Sequence, residues 1–315
     1  MDEIQDRLRN EAQGLLESGK IDAFLGYERG TLPLRSRPLL ARNAADTEKL
    51  VWDRYCTNNL AVYLPVLFEK KKKDQELPRI GIAAKGCDLR SIFGLVKERQ
   101  LPRENIVIVG LPCRGMADPV KMTALAGEVD GAAEEDALAE ISEQRILQDV
   151  CLECEHPDAA GADVLIQGEP RNRGKQNFAT VGSFEAKSAE ERWRTFEAEV
   201  SKCIRCYACR QSCPNCYCKV CFADQGKPGW LSGGTHISDL MLFHIGRIFH
   251  QAGRCVGCNA CLRACPMGVD LQIFTQKLVK DVQELFHYSP GLPLEEPPPL
   301  CTFKAEDSQA FISEP

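Results

Sequence analysis

The sequence predicts an α/β domain with a short parallel sheet, followed by an α+β domain that carries a helical insert. Two observations favour this fold class. Short apolar segments alternate with helical patterns through residues 1–170, as in chains that form parallel sheets. The 17 cysteines are unevenly distributed, because residues 1–55 contain none and residues 203–265 contain eleven.

The N-terminal elements begin with an amphipathic helix over residues 1–18 and one or two further helices over residues 46–69. Residues 79–84 and 105–110 are typical of buried strands, and a helical pattern at residues 89–96 separates them. Strand, helix and strand over about 30 residues predict a right-handed unit with two parallel strands.

The elements that follow lead the chain to the cysteine-rich region. We expect an acidic helix at residues 134–150, a third strand at 163–166 and a helix at about 188–200. Residues 237–250 have helical apolar spacing, and the proline-rich tail from Ser289 is expected to run extended over a surface.

Four segments result from this division of the chain. The predicted α/β domain covers residues 1–170, and a linker with a helix covers 171–200. The cysteine-rich domain covers 201–288, and the tail covers 289–315.

Two cysteine runs have the same spacing. They are Cys203-x-x-Cys206-x-x-Cys209-x-x-x-Cys213-Pro214 and Cys255-x-x-Cys258-x-x-Cys261-x-x-x-Cys265-Pro266. Each is the run found in bacterial two-cluster ferredoxins, in which the fourth cysteine ligates the other 4Fe–4S cluster. Zinc sites are the alternative, but they need two Cys-x-x-Cys arms and no triple run closed by Cys-Pro. The second domain is therefore predicted to be dicluster ferredoxin-like.

The spacing assigns four cysteines to each predicted cluster. Cluster one takes Cys203, Cys206, Cys209 and Cys265. Cluster two takes Cys255, Cys258, Cys261 and Cys213.

A third 4Fe–4S cluster is predicted in the α/β domain, with Cys87, Cys113, Cys151 and Cys154 as ligands. Cys87 and Cys113 each follow a predicted strand, and the carboxyl ends of neighbouring parallel strands meet at one edge of a sheet. The helix after Cys87 also directs its positive end toward such a site. A redox-active Cys-x-x-Cys disulfide, a zinc site and buried structural cysteines remain alternatives.

Several other cysteines and histidines have no assigned ligand role. Cys216, Cys218 and Cys221 could bind a further metal with Cys301, or could line a cluster pocket as small buried thiols. Cys56 is expected to be a packed helix cysteine. The histidines of the insert are interpreted as ordinary helix residues near the clusters, with metal or haem ligation as the alternative: His236, His244 and His250.

The overall composition excludes several classes of protein. A hydrophobic fraction of 44%, a charged fraction of 27% and a net charge of −6 indicate a globular chain without a nucleic-acid surface. The lysine run at residues 70–73 is interpreted as a solvated loop. Neither an apolar segment of about 20 residues nor a signal peptide is evident, so we expect a cytoplasmic protein with no direct membrane span. In that reducing compartment, metal ligation explains the cysteines better than disulfides do.

Three motifs resemble the beta subunit family of deazaflavin-reducing hydrogenases and deazaflavin-linked formate dehydrogenases. They are Lys85-Gly86-Cys87-Asp88-Leu89, Gly110-Leu111-Pro112-Cys113 and Cys151-Leu152-Glu153-Cys154. The C-terminal half, with Cys213-Pro214-Asn215-Cys216-Tyr217-Cys218, is similar to sulfhydrogenase beta subunits and to the A subunit of anaerobic sulfite reductase. The resemblance implies FAD beside the front cluster and partner subunits in a larger anaerobic redox complex.

A possible flavin site lies in the loop at residues 168–177. Arg171, Arg173 and Lys175 could hold the phosphates of FAD, or the loop could be a solvated surface. No Gly-x-Gly-x-x-Gly segment opens a helix after a strand, so a dinucleotide site of that type is not supported.

These features predict an iron–sulfur electron-transfer subunit that relays single electrons and has no catalytic residue of its own. The alternative is a flavin-containing subunit that exchanges hydride with a deazaflavin or nicotinamide, and a third possibility is a non-redox scaffold. We expect the front cluster to precede the ferredoxin pair along the electron path. A partner subunit is expected to dock at the C-terminal module through the tail and the helix at 237–250.

Overall fold

The computed structural model describes residues 2–69, 76–128, 143–174 and 178–302. Several predictions fall wholly or partly outside these ranges. They concern the lysine run at 70–73, most of the acidic helix at 134–150, Lys175, and the tail from residue 303 onward.

A five-stranded sheet in the order β2-β1-β3-β4-β5 forms the centre of the N-terminal half. Its strands are β1 (Ala23–Arg29), β2 (Ser36–Ala41), β3 (Ile80–Ala84), β4 (Ile106–Gly110) and β5 (Val164–Leu165). Only β1 and β2 pair antiparallel, whereas β1–β3, β3–β4 and β4–β5 are parallel. The α/β class and the parallel pairing of the two strongest predicted strands are confirmed.

The helices of the N-terminal half flank this sheet. They are α1 (Asp2–Glu17), α2 (Ala44–Thr47), α3 (Leu64–Leu67), α4 (Gly86–Lys97), α5 (Pro119–Glu128), α6 (Glu143–Ile146) and α7 (Asp149–Leu152), with 3-10 turns at Leu60–Tyr63 and Arg103–Asn105. Helix α1 packs on β1 and β3, and α4 packs on β3 and β4. Every residue of β3 is buried, as expected for a strand covered on both faces.

The prediction of one or two helices over residues 46–69 is wrong. This segment contains only the end of α2, one 3-10 turn and the four-residue α3. Two side chains compete with a longer helix for the backbone donors. The Asp53 carboxylate accepts a hydrogen bond from the Tyr55 N–H at 2.8 Å, and the Asn59 side chain accepts one from the Ala61 N–H at 3.1 Å.

The C-terminal half is built from helices. They are α8 (Ala179–Glu185), α9 (Ala189–Ser201), α10 (Ala208–Gln211), α11 (Ile237–His250), α12 (Ala260–Arg263) and α13 (Gln272–Phe286), with 3-10 turns at Phe222–Asp224 and Pro299–Cys301. Between residues 178 and 302, β-structure is limited to the isolated bridges Gly226–Gly229 and Ser289–Leu292. The α+β description of this domain is therefore not confirmed.

A second apolar core holds these helices together. Phe196 and Val200 of α9 pack with Leu240 and Ile248 of α11. Helix α8 packs on α13, which also contacts α11. Residues 179–201 thus pack with the cysteine-rich region, although the sequence placed them in a linker.

The described part of the tail lies on the N-terminal half. Leu292 and Leu294 pack against the main core, and the Pro290 carbonyl accepts a hydrogen bond from Arg90 Nε at 2.9 Å. A Cβ at Gly291 would lie 2.3 Å from the Arg90 carbonyl oxygen, so only glycine permits this approach. The first part of the tail thus lies on a surface as predicted, but it is not extended: it folds through the Ser289–Leu292 bridge, further turns and the 3-10 turn at Pro299–Cys301.

Candidate metal centres

A cavity of about 450 Å³ lies beyond the carboxyl ends of β3 and β4, and the thiols of Cys87, Cys113, Cys151 and Cys154 line it. Cys87 is in the first turn of α4, and Cys113 follows β4 by three residues. The two strands end side by side, since Ala84 pairs with Gly110. The structure thus brings together the four cysteines that the sequence grouped as a front site.

A close approach at Gly86 joins the two halves of this front site. A Cβ at Gly86 would lie 2.0 Å from the His156 carbonyl oxygen and 2.5 Å from that of Asp158. The loop that follows Cys154 therefore fits against α4 only because residue 86 has no side chain.

A buried ion pair supports the helix that carries Cys87. Lys85 Nζ lies 2.8 Å from the Asp88 carboxylate, and both side chains are almost fully buried. Lys85 also donates to the Asn58 carbonyl at 2.9 Å and to the Tyr27 hydroxyl. Burial, the largest single cause, lowers the pKa of Lys85, but the charges of Asp88, Tyr27 and Cys87 together outweigh it, and the pKa rises well above its usual value.

Backbone N–H groups point at several of the predicted ligand sulfurs. The Gly115 N–H donates to Cys113 Sγ at 3.4 Å, and the His156 N–H donates to Cys154 Sγ at 3.4 Å. In the C-terminal half, the Arg205 N–H donates to Cys203 Sγ at 3.3 Å. In each case the donor lies two residues after the cysteine. Hydrogen bonds to sulfur stabilise thiolates and tune iron–sulfur clusters, so this donor set fits 4Fe–4S ligation.

The two cysteine runs of the C-terminal half have the same backbone conformation. Arg205 and Gly257 occupy equivalent positions with φ of 55° and 71°, and Tyr207 and Asn259 have φ of 61° and 58°. A four-residue helix follows in each run, α10 in the first and α12 in the second. The repeat in spacing is therefore also a repeat in structure.

The fourth cysteine of each run lies near the other run. Cys265 is close enough to Cys203 and Cys209 to raise their pKa values, and Cys213 has the same effect on Cys255 and Cys258. Burial is the largest cause, raising the pKa of Cys258 to about 11 and that of Cys255 to about 12. A cavity of about 40 Å³ lies among Cys203, Cys206, Cys209, Cys261 and Cys265.

Among the described residues, no group of three or more His, Cys, Asp and Glu side chains is arranged so that it could hold a metal ion.

The front cavity extends to the second cysteine run. Val256, Gly257 and Cys258 also line it, and Cys87 and Cys258 are close enough to interact electrostatically. The four cysteines assigned to cluster two therefore lie between the front site and those assigned to cluster one.

Two arginines that the sequence analysis missed bridge these regions. Arg90 is buried and donates to the Val256 carbonyl at 3.3 Å. Arg263 donates to the Gln148 side chain and to the Cys258 carbonyl, both at 2.7 Å. A charged residue inside an apolar helical pattern was the only available signal for Arg90.

The two described residues proposed for flavin phosphates, Arg171 and Arg173, make different contacts. Arg171 donates to the carbonyls of Cys151 and Leu152 at 3.3 and 2.9 Å and lines the front cavity. Arg173 forms an exposed ion pair with Asp158 at 2.8 Å. Lys175 lies outside the described residues, so the flavin assignment stays a prediction.

The remaining cysteines divide by exposure. Cys218 and Cys301 are exposed, and Cys216 accepts a hydrogen bond from Gln251 Nε2 at 3.5 Å. Cys56 is buried as expected, but it follows a turn and is not in a helix.

Helix α11 presents polar side chains to the cysteines. His244, Arg247 and Gln251 are buried at positions i, i+3 and i+7, and Arg247 donates to the Cys209 carbonyl at 3.2 Å. Burial, followed by the charge of Arg247, lowers the pKa of His244 to about 4. His236 and His250 are exposed.

Two beta subunits of F420-dependent formate dehydrogenases are among the known proteins similar to this chain. The chain is 23% identical to the beta subunit of an F420-dependent formate dehydrogenase from Methanocaldococcus jannaschii, over 90% of this chain and 91% of that one. It is also 23% identical to the F420-dependent formate dehydrogenase 1 beta subunit of Methanococcus maripaludis, over 91% and 90% of the two chains. The predicted resemblance to formate dehydrogenase beta subunits is thereby confirmed, and the one to sulfhydrogenase and sulfite reductase subunits stays a prediction.

Other comparisons add little. No model of a protein family matches the chain. A chain in a structure of the F420-reducing NiFe hydrogenase complex of Methanosarcina barkeri aligns with 50% of this chain and 65% of its own length, at 17% identity and a TM-score of 0.38. Within the described residues, no helix has the length and apolar composition of a transmembrane segment.

Proposed function

We propose that this chain is an electron-transfer subunit of a larger anaerobic oxidoreductase, in which three 4Fe–4S clusters relay single electrons. The observation that carries the proposal is the arrangement of twelve cysteines in three adjacent groups, several with N–H donors to sulfur. When bound, the clusters supply one-electron redox chemistry. The protein supplies thiol ligands, hydrogen bonds to sulfur and a partly buried environment.

The proposed order of the centres follows from which groups of cysteines lie next to each other. The front cavity shares Cys258 with the second group, and Cys209 of the first group lies near Cys261. An electron entering at the front site would therefore meet the Cys255, Cys258, Cys261 and Cys213 cluster before the other one. The buried Arg90 and Arg247 and the partly buried Arg263 would favour electron arrival, since each offsets negative charge.

The relatives support the proposed partners. Both are beta subunits of F420-dependent formate dehydrogenases, and a subunit acts with others in a complex. We propose that this chain also works within a multi-subunit redox complex, located in the cytoplasm. The chain would be divided into four segments, at residues 1–170, 171–200, 201–288 and 289–315.

Iron content tests the number of clusters. Anaerobically purified protein should contain about twelve irons per chain, because each cubane holds four. Cys87→Ser should remove about four and leave the other two EPR signals intact. Cys218→Ser, which replaces an exposed cysteine outside the three groups, is the control and should retain all of them. An iron content of about eight per chain in the wild-type protein would show that the front cluster is not present.

A flavin-containing subunit is the second candidate, and the extent of the front cavity favours it. The cavity continues beyond the four thiols to Arg171, Phe178 and Ile273. In this alternative, FAD would exchange hydride with a deazaflavin or nicotinamide and pass electrons to the front cluster. Acid extraction followed by flavin fluorescence distinguishes the two candidates, since the simple relay releases no flavin.

A further inference from the structure

His244 in the middle of α11 has an unusual environment. It is only 4% exposed, and neither Nδ1 nor Nε2 has a hydrogen-bond partner within the described part of the chain. The Phe243 ring packs against it edge-on with the ring centroids 5.0 Å apart. Burying an imidazole without a partner costs free energy, so such groups are rare in folded proteins.

His244 borders a cavity together with four of the proposed ligand cysteines. It lines the cavity of about 40 Å³ that Cys203, Cys206, Cys209 and Cys265 also line. These are the four cysteines assigned to cluster one. An imidazole N–H donates well to a negatively charged sulfur, and such a bond would satisfy the buried ring.

The neighbouring polar residues of α11 already have partners. Arg247 donates to the Cys209 carbonyl at 3.2 Å, and Gln251 Nε2 donates to Cys216 Sγ at 3.5 Å. Arg247 Nε has no partner among the described residues, but the same guanidinium is held by its bond to the Cys209 carbonyl, whereas neither ring nitrogen of His244 is hydrogen-bonded.

We propose that His244 donates a hydrogen bond to a sulfur of the cluster held by Cys203, Cys206, Cys209 and Cys265, and that this bond raises the reduction potential of that cluster. The inference rests on the proposed function, because it requires that cluster. The reduced cluster carries one more negative charge than the oxidised cluster, so the donor stabilises the reduced form more. His244 is a positioning residue that acts on potential and takes no part in breaking a substrate bond.

The test is an anaerobic redox titration of the full chain, followed by EPR. In His244→Leu we expect the ratio of reduced to oxidised cluster to fall about tenfold at the wild-type midpoint, which corresponds to about 59 mV for one electron. Only one of the EPR signals should shift. His244→Gln keeps an N–H donor and should recover most of the shift, whereas His250→Leu, at an exposed position of the same helix, should cause none.

Two results separate failure of this inference from failure of the proposed function. Unchanged midpoints in His244→Leu with full iron content would overturn the role of His244 alone. Wild-type protein without a cluster signal from the Cys203 group would overturn the proposed function.

A second measurement applies if His244→Leu loses iron. Wild-type protein labelled with 15N-histidine should show a weak 15N coupling by ENDOR on one cluster signal, and this coupling should disappear in His244→Gln. No coupling, or the strong coupling of a nitrogen bound directly to iron, would overturn the hydrogen bond.

Discussion

The front site and the paired cysteine runs assemble four thiols in different ways. In each run, the backbone of seven consecutive residues brings three thiols together, with two positive φ values and a four-residue helix. The front site instead collects its cysteines from α4, from the end of β4, from α7 and from the loop after α7. A local site depends on turn chemistry, whereas a dispersed site depends on the packing of the whole sheet. The two regions should therefore respond to different mutations.

The largest effect is expected at Gly86, whose missing side chain lets the loop after Cys154 meet α4. Gly86→Val should remove about four of about twelve irons, because its Cβ would overlap the His156 carbonyl. The ferredoxin-type EPR signals should persist, and iron analysis with EPR measures both. Gly94→Ala in the same helix has nothing within 4 Å of the new Cβ and should keep all the iron. Equal losses from all sites would show that the two regions do not assemble independently.

A large loss of stability is expected when the buried pair beside Cys87 is broken. Lys85→Met leaves the Asp88 carboxylate buried without its ion-pair partner, which typically costs about 3–5 kcal/mol. Anaerobic denaturant unfolding should show this loss. Lys49→Met breaks the exposed Lys49–Asp46 pair and should change the free energy of unfolding by less than about 1 kcal/mol. Similar effects of the two variants would contradict the importance of the buried pair.

The tail offers a way to separate docking to a partner from packing within the chain. Removing residues 289–315 should cost about 1.5–3 kcal/mol, because Arg90 loses the Pro290 carbonyl. Removing only residues 303–315 leaves that hydrogen bond in place. If the end of the tail docks a partner, the shorter truncation should weaken complex formation in co-purification while its stability and iron content stay unchanged. If the shorter truncation still gives full recovery of the complex, the tail acts only by packing within the chain.

The smallest effect is expected at an ion-pair cluster between α8 and α13. Hydrogen bonds from Lys277 and then Lys280 lower the pKa of Glu185 from 4.5 to about 2. A lowered pKa in the folded state adds stability above pH 4.5 that is lost as the pH falls toward about 2. The melting temperature of Glu185→Gln should be slightly lower than wild type at pH 7, and the difference should shrink below pH 4.5. Glu284→Gln, whose carboxylate lies 4.0 Å from Lys280, is the control and should change less.

The elements that sequence patterns located best are those with strong apolar periodicity. Helix α11 has the predicted bounds, β3 and β4 begin one residue later than predicted, and α4 begins three residues earlier. The hairpin of β1 and β2 was missed because β2 is half-buried and includes Pro38, which weakens its strand pattern.

The candidate site could also be predicted in part from sequence patterns. Spacing and strand ends grouped the cysteines, since both are local properties. The bridging contacts of Arg90 and Arg263 were not recognised, and His244 was interpreted as an ordinary helix residue near the clusters, because these environments depend on contacts between segments that are far apart in the sequence.

Exposure of a single sulfur has a practical consequence for handling the protein. Among the twelve proposed ligands, Cys206 alone is exposed, whereas the other eleven are shielded to some degree. Dissolved oxygen or an alkylating reagent therefore reaches the Cys203 group first. Under the proposed function, brief contact with air should damage the Cys203 group while the front site is still intact, so a preparation that has lost part of its iron would lack the last centre of the proposed path.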